Sequence, residues 1–351
     1  MQTLKLNNQL QYLIALLFIV QFSSCAQSQD TDAPRNGEAI RIGFYNVENL
    51  FDPENDSLRN DDAFTPEGNY RWTPHRLNEK VKALTKVIRH LGGWEPIEVL
   101  GLCEIENRYV IERLINHPTL KNAGYRIAHF ESPDRRGIDV GAIYRPEYFN
   151  LLHQQAIAVV RDDLPEFRTR DILYLKGLSL QDTLHIFFNH WPSRYGGQQK
   201  SEPSRIAAAL RLRTFVDSIT SVNPLANIVI MGDFNDEWDN QSVRKTLGAD
   251  ILEANTDLVN LMAAMNPDMG THRYQGRWAY LDQAIVSLHL LDKQNSLQVK
   301  NHRAEVFQPD YLLEDDDKYP GKKPFRMFIG MKYQGGFSDH LPIYIDIITN
   351  K

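Results

Sequence analysis

Short apolar runs that break off on a carboxylate, a carboxamide or a histidine are what most limits the folds open to this chain. Residues 40–47 (IRIGFYNV) read as a strand that ends around Asn46 and Glu48. Residues 99–105 form a second, carrying Glu104 and followed by Asn107. Residues 184–188 lead into Asn189 and His190, and 227–231 into Gly232, Asp233, Phe234 and Asn235. Asp282 interrupts the run over 280–286, and Ser338, Asp339 and His340 open the last strand, 341–347. A further strand is expected over 139–144. Between these, residues 76–91 place Leu77, Val81, Leu84, Ile88 and Leu91 on one side of a helix started by Thr73 and Pro74. Residues 204–219 read as a helix capped by Ser204. Strands and helices that alternate without an internal repeat describe an α/β fold. A carboxylate inside an apolar run is costly unless paired, hydrogen-bonded or metal-bound, so strand ends that repeat this choice imply one meeting place. Two stretches, 52–75 and 304–336, lack a period and read as long surface loops.

The 351 residues hold 39 Lys and Arg against 45 Asp and Glu, a net charge of −6, with 42% hydrophobic residues and two cysteines. Those proportions exclude a disordered chain, a disulfide scaffold and a polytopic membrane protein. The negative total speaks against coating nucleic acid by charge alone. The N-terminus starts with Lys5, continues as an apolar run over 12–20 and reaches Ser23, Ser24 and Cys25. Too short to span a bilayer comfortably, it reads as an export signal. It is similar to a bacterial lipoprotein signal, in which Cys25 becomes the lipidated first residue; an ordinary secretory signal cut nearby is the alternative. The expected organisation is a signal over 1–24, a flexible tether over 25–38 and one catalytic domain over 39–351. The expected location is the bacterial outer membrane or cell envelope, with Cys25 as membrane anchor, or the secreted pool.

Removing the signal takes Lys5 with it, so the mature charge is 38 − 45 = −7. Five acids over 310–317 leave −7 + 5 = −2 elsewhere. Residues 194–213 carry Arg194, Lys200, Arg205, Arg211 and Arg213 against Glu202, a local +4 beside His190. Such a cluster either grips phosphates or lines a solvated helix face. Cys103, within an apolar run, reads as a buried bystander.

No Cys/His cluster of zinc-site spacing is present. Carboxylates with carboxamides suit a hard ion: Mg²⁺, with Mn²⁺ or Ca²⁺ as alternatives. Histidines beside carboxylates supply proton-transfer groups near neutral pH. With no activated Ser or Cys, the combination points to hydrolysis by water.

The pieces YNVENLFD at 45–52, GLCEIEN at 101–107, RRGIDVGAIYRP at 135–146, NHWPSR at 189–194, MGDFND at 231–236, YLDQAIVS at 280–287 and SDHLPI at 338–343 resemble the endonuclease/exonuclease/phosphatase superfamily. They occur in that family's order and are closest in flavour to its bacterial secreted nuclease-like branch. The resemblance implies a DNase I-like four-layer α/β sandwich, two mixed β-sheets face to face with helices outside. It implies Glu104 as principal metal ligand with Asn46 beside it and Asp339 completing the site. Asp233 would orient or deprotonate the attacking water. Asn235 and His190 would contact the scissile phosphate, with His190 able to protonate the leaving oxygen. His340 would contact a phosphate oxygen and Asp282 would orient its ring. Arg136, Asp139 and Ser193 would help shape the phosphate site. The implied activity is an exported, metal-dependent endonuclease acting as a monomer on DNA or RNA, with no protein partner evident. A phosphatase or phospholipid phosphodiesterase is the alternative, and a non-catalytic binding lipoprotein a third reading.

Overall fold

The computed structural model describes residues 35–350 apart from 36 and 255. The segment read as an export signal, Cys25 included, lies outside the described residues. Of the stretch read as a tether, Arg35 belongs to the fold: it is buried, pairs with Glu98 at 3.0 Å, and donates to the Gly92, Glu95 and Pro96 carbonyls.

Two seven-stranded sheets form the centre. In the first, β1 (Ala39–Leu50) runs parallel to β2 (Val99–Ile105), and β2 continues antiparallel to β4 (Asp139–Tyr144) and β4 to β3 (Arg126–His129). The second sheet opens with β5 (Asn150–Ile157) and β6 (Ile172–Ser179), an antiparallel pair that no sequence period announces. Then β7 (Asp182–His190) runs parallel to β8 (Asn227–Asp233), which pairs antiparallel with β9 (Asp282–Ser287). The last strand, β10 (Ile343–Thr349), returns to the first sheet and pairs antiparallel with β1. Each sheet therefore has one parallel pair near its middle, whose two strands end on the same side.

Alternation of side chains along these strands builds the layers. Phe44, Cys103, Phe188, Met231 and Ile345 point between the sheets. Their neighbours Tyr45, Leu100 and Leu102 point outward and pack on Leu77, Val81, Leu84 and Ile88 of α1 (Pro74–Leu91), with α2 (Arg108–Ile115) alongside. Phe187, Ile228 and Ile230 do the same against Ala208, Ala209, Leu212 and Val216 of α3 (Gln198–Val222). The order is helix, sheet, sheet, helix.

Two readings need correction. Helix α3 begins at Gln198, so Pro203 lies inside it and Ser204 is no cap. Pro203 forgoes one backbone bond there, and the buried Ser204 accepts a hydrogen bond from Arg161. Nor are 52–75 and 304–336 simple surface loops. Phe64 stacks between Phe51 and Tyr70, while Tyr70 and the fully buried Trp72 pack on Phe328. The second stretch also folds into short hairpins, Leu313–Asp315 with Lys322–Pro324 and Phe328–Ile329 with Lys332–Tyr333. Aromatic residues from two distant segments make one cluster, which leaves no periodic trace in either.

Gly101 in β2 sets the spacing of the sheets: a Cβ there would lie 2.2 Å from the Phe188 ring. Gly101→Ala is expected to lower stability by about 1–3 kcal/mol through overpacking. The readout is a lower urea midpoint at unchanged denaturant slope.

Candidate active site

The parallel pairs bring four functional side chains to one edge of the sandwich. Asn46 lies near the end of β1 and Glu104 near the end of β2, while His190 and Asp233 end β7 and β8. Register does the fine placement. His190 is directly opposite Asp233, and Asp233 is opposite Asp282 at the start of β9. Gly232 permits this approach, since a Cβ there would lie 2.3 Å from the Asn189 carbonyl oxygen. Glu104 (φ 58°), Glu48 (φ 51°) and Asn235 (φ 50°) adopt left-handed backbone where the regular strands give out. Non-glycine residues there cost of order 1–3 kcal/mol each, and such strain gathers at functional sites.

The centre of the site is Asp233 Oδ2. Asn46 Nδ2 donates to it at 3.1 Å and to Glu104 Oε1 at 3.3 Å. His190 Nε2 lies 3.8 Å from Asp233 Oδ2 and 4.0 Å from Glu104 Oε1. His340 Nε2 lies 3.8 Å from the same Asp233 oxygen, while its Nδ1 is 2.7 Å from Asp282 Oδ2. The 2.7 Å contact fixes the tautomer: Nδ1 holds the proton that Asp282 accepts. The 3.8 Å separations are too long for hydrogen bonds and leave room for a bridging atom.

Electrostatics divide the two imidazoles. Burial opposes charge on His340, but Asp282, Asp233 and Asp339 overcome it and hold the ring well above its ordinary value. Burial pushes His190 well below, helped by Arg170 and Arg136, so this ring stays neutral. The His190 Nδ1 is buried without a hydrogen-bond partner. Burial lifts Asp233 to about 7, with His340 pulling against it.

The other expected residues separate. Asn235 adjoins the centre: its N–H donates to Asp233 Oδ1 at 2.8 Å and its Nδ2 to the Trp191 carbonyl. Asp339 faces Arg326, whose Nη2 is 2.9 Å from Oδ2. Despite burial its carboxyl is held down at about 2, chiefly by Arg326. Asp139 is engaged elsewhere, accepting from Ser132 and contacting His129 at 2.9 Å. Ser193 accepts from the Tyr195 N–H, and Arg136 acts on His190 through its charge. Asn107 caps α2, and Asn189 is used up in bonds to the Met231 carbonyl and Trp191.

Sequence reasoning missed Arg326, Lys80 and His272 near the site, and gave Glu48 a place at a strand end but no role. Glu48 binds Arg326, Lys80 lies buried with Nζ on the Phe337 carbonyl, and His272 packs its ring 4.8 Å from that of His340. Lys80 had a legible signal: it falls on the apolar stripe of α1, between Leu77 and Leu84. Arg326 and His272 had none.

Glu104 fits a divalent ion. Among the described residues it has no Lys or Arg at ion-pair distance, faces His190 and Asn46, and offers hard oxygen donors with Asn46.

Residues 41–349 match the profile of the Endonuclease/Exonuclease/phosphatase family. The chain belongs to that family. It is thereby a phosphoric ester hydrolase with the DNase I-like α/β sandwich. No curated protein sequence matches it significantly. Among solved structures it is similar to D. rerio TDP2 complexed with single-strand DNA product (16% identity, 89% of this chain and 99% of that one, TM-score 0.54). It is also similar to an endonuclease/exonuclease/phosphatase family protein from Bacteroides thetaiotaomicron (14%, 89% and 98%, 0.53). A third is the human Nocturnin catalytic domain with bound sulfate (16%, 89% and 95%, 0.53).

The basic segment of this family member is not a free phosphate-gripping surface. Arg205 is buried against Asp236 at 2.7 Å, Arg213 pairs with Asp217 and Asp257, and Arg211 bonds the Ala158 carbonyl. Arg194 donates to the Asn235 carbonyl, Asp236 and Asn240. A groove of about 560 Å³ has a lining that includes Glu237, Trp238, Met262, Met265, Trp278 and Tyr280. Glu237 and Tyr280 are each two residues along the chain from Asn235 and Asp282.

Histidine NMR titration of the metal-free protein checks the electrostatics. His340 should keep its proton well above pH 6.5, and Asp282→Asn should bring it down. His272, pushed to about 4 by burial, should stay neutral through that range, as should His190.

Proposed function

We propose that the chain is a divalent-metal-dependent phosphodiesterase that cuts nucleic acid with an activated water. The observation that carries this is the convergence of Asn46, His190 and His340 on one oxygen of Asp233, with Glu104 facing the same Asn46 and His190 groups. Glu104 and Asn46 would hold Mg²⁺, or Mn²⁺ or Ca²⁺ in its place. When bound, the ion would supply positive charge toward the non-bridging oxygens of the phosphate.

The chain's own residues do the rest. Asp233 Oδ2 takes a proton from water, and its elevated pKa makes it a usable base near neutral pH. Protonated His340, oriented by Asp282, donates to a phosphate oxygen as negative charge gathers there. His190 is neutral and donates a single N–H, which suits a contact to phosphate better than release of a proton to the leaving oxygen. The Asn235 carboxamide completes the phosphate contacts.

The half-buried Trp238 and Trp278 in the groove favour nucleic acid over inositol phosphate or phospholipid, because bases stack on aromatic side chains and a small polar headgroup does not. The single-strand DNA product of the D. rerio neighbour agrees with that choice.

Plasmid DNA and RNA should be cut in Mg²⁺ or Mn²⁺ and spared in EDTA. Asp233→Asn, His340→Ala and Glu104→Gln should each lower turnover by about 10²-fold or more while far-UV circular dichroism is unchanged. Turnover confined to sphingomyelin or inositol phosphates would shift the assignment to the alternative esterase. No turnover of any ester would leave the binding reading. The rate should rise with pH as Asp233 loses its proton, with the midpoint at or below about 7, since a bound cation can only pull that value down.

We also propose export as a lipoprotein of the bacterial cell envelope. Palmitate labelling of the full chain in a bacterial host should disappear in Cys25→Ala.

A further inference from the structure

We propose that a basic groove along the outer side of α1 holds a single-stranded segment of the nucleic acid that the active site cuts, with Lys82, Lys86 and Arg89 gripping its phosphates. This rests on the nucleic-acid reading above and adds to it a binding surface away from the reacting centre.

The groove has a volume of about 760 Å³ and lies between α1 and the chain over 333–337. Lys82, Lys86, Arg89 and His90 line the helix side, and the half-buried Tyr333 and Phe337 line the other. Among the described residues Glu79 is the one acid in the lining, and none of the three cations has a carboxylate at ion-pair distance. Lys86 Nζ instead stands 4.1 Å from the centre of the Tyr311 ring, and Arg89 donates to the Gly93 carbonyl at 2.8 Å. The side chain of Lys82 is exposed. Burial, Lys86 and Arg89 together hold His90 below its ordinary value, so the groove is a region of positive potential. In a chain of net charge −6, cations left without acids suit a polyanion.

The rings decide which polyanion. Cations that follow a backbone beside aromatic side chains that take bases are the combination that binds single strands. A lipid surface is broad and would meet protruding residues, whereas these rings lie in a recess. From Lys82 to Arg89 the helix rises about 10 Å, so the cations can meet successive phosphates.

The groove is continuous with the active site. Strands β1 and β2 are parallel, so α1 runs back from the catalytic edge to the start of β2. Buried Lys80, on the inner side of α1, interacts electrostatically with Glu48, Asp339 and Glu104. Its Nζ donates to the carbonyl of Phe337, a residue of the groove, and Ser338 next to it donates to the Asn46 carbonyl. The chain over 337–339 is therefore a wall with the groove at one end and the catalytic edge at the other.

The test is fluorescence anisotropy of a labelled single-stranded oligonucleotide with the full chain in EDTA, where cleavage is silent, over a series of salt concentrations. Each phosphate contact on a single strand adds about 0.7 to the slope of log affinity against log salt. Lys82→Gln combined with Lys86→Gln should weaken binding and make the slope shallower by about 1.4. Lys293→Gln, an exposed position bonded through its carbonyl to Asn350 after β10, should leave the slope unchanged. If the double variant does not fold, Lys82→Gln alone should lower the slope by about 0.7, because that side chain has no hydrogen bond or ion pair among the described residues. An unchanged slope in a folded variant overturns the proposal, and the nuclease reading then stands on wild-type cleavage in Mg²⁺. An equal change in Lys293→Gln overturns it as an effect of bulk charge. So does loss of binding to phosphatidylglycerol vesicles in the double variant with oligonucleotide binding unaltered, which assigns the groove to a membrane. A wild-type protein that neither binds nor cuts nucleic acid sinks this proposal together with the reading it rests on.

Discussion

Asp233 is buried beside two other carboxylates, and a charge in that position costs several kcal/mol unless something answers it. Much of the molecule is arranged around that requirement. The parallel pairs β1/β2 and β7/β8 aim their ends at the same edge, which brings the Asn46 amide and both imidazoles to one oxygen. Ser338 donates to the Asn46 carbonyl and accepts from the His340 N–H, so the last strand is tied to the first at the point where His340 must be placed. Asp282 then keeps the ring charged. Each element is ordinary, but together they bring Asp233, His340 and Glu104 to one edge of the fold.

Arginines do a different task on the second sheet. Arg205 reaches Asp236 from α3, Arg194 clasps the Asn235 carbonyl, and Arg170 joins Asp134 to the Trp191 carbonyl. All three act on the turns that follow β7 and β8, the turns that carry Trp191 and Asn235. Arg205, Arg213 and Arg194 in the run of positive charge beside His190 are thus tied into the fold by carboxylates and carbonyls.

How much of this was legible follows from what kind of pattern each part leaves. The central strands were readable because an apolar run that ends on Asp, Glu or His has few explanations, and the structure brings Asn46, Glu104, His190, Asp233, Asp282 and His340 together. The helix α1 was readable from its stripe and its Thr73–Pro74 start, although Lys80 on that stripe went unremarked. Strand β5 is mostly exposed and its Leu-Leu-His-Gln-Gln sequence has no alternation to find. Residues 304–336 hid the most. Their hairpins are two or three residues per strand, and Phe328 packs on Tyr70 and Trp72, about 260 positions away by chain count. Arg326 came with that segment, so the partner of Asp339 could not be foreseen from the motif that contains Asp339.

The cross-strand register of His190, Asp233 and Asp282 has a consequence for how such an enzyme can change over time. Because side chains alternate with a period of two, adding or deleting one residue within β7, β8 or β9 would turn a catalytic group to the opposite face. The three strands therefore hold His190, Asp233 and Asp282 together only in this register. The connecting segments face no such restriction. Insertions between β9 and β10, or in the stretch that precedes α1, keep that register intact and are limited instead by the aromatic cluster of Tyr70, Trp72 and Phe328.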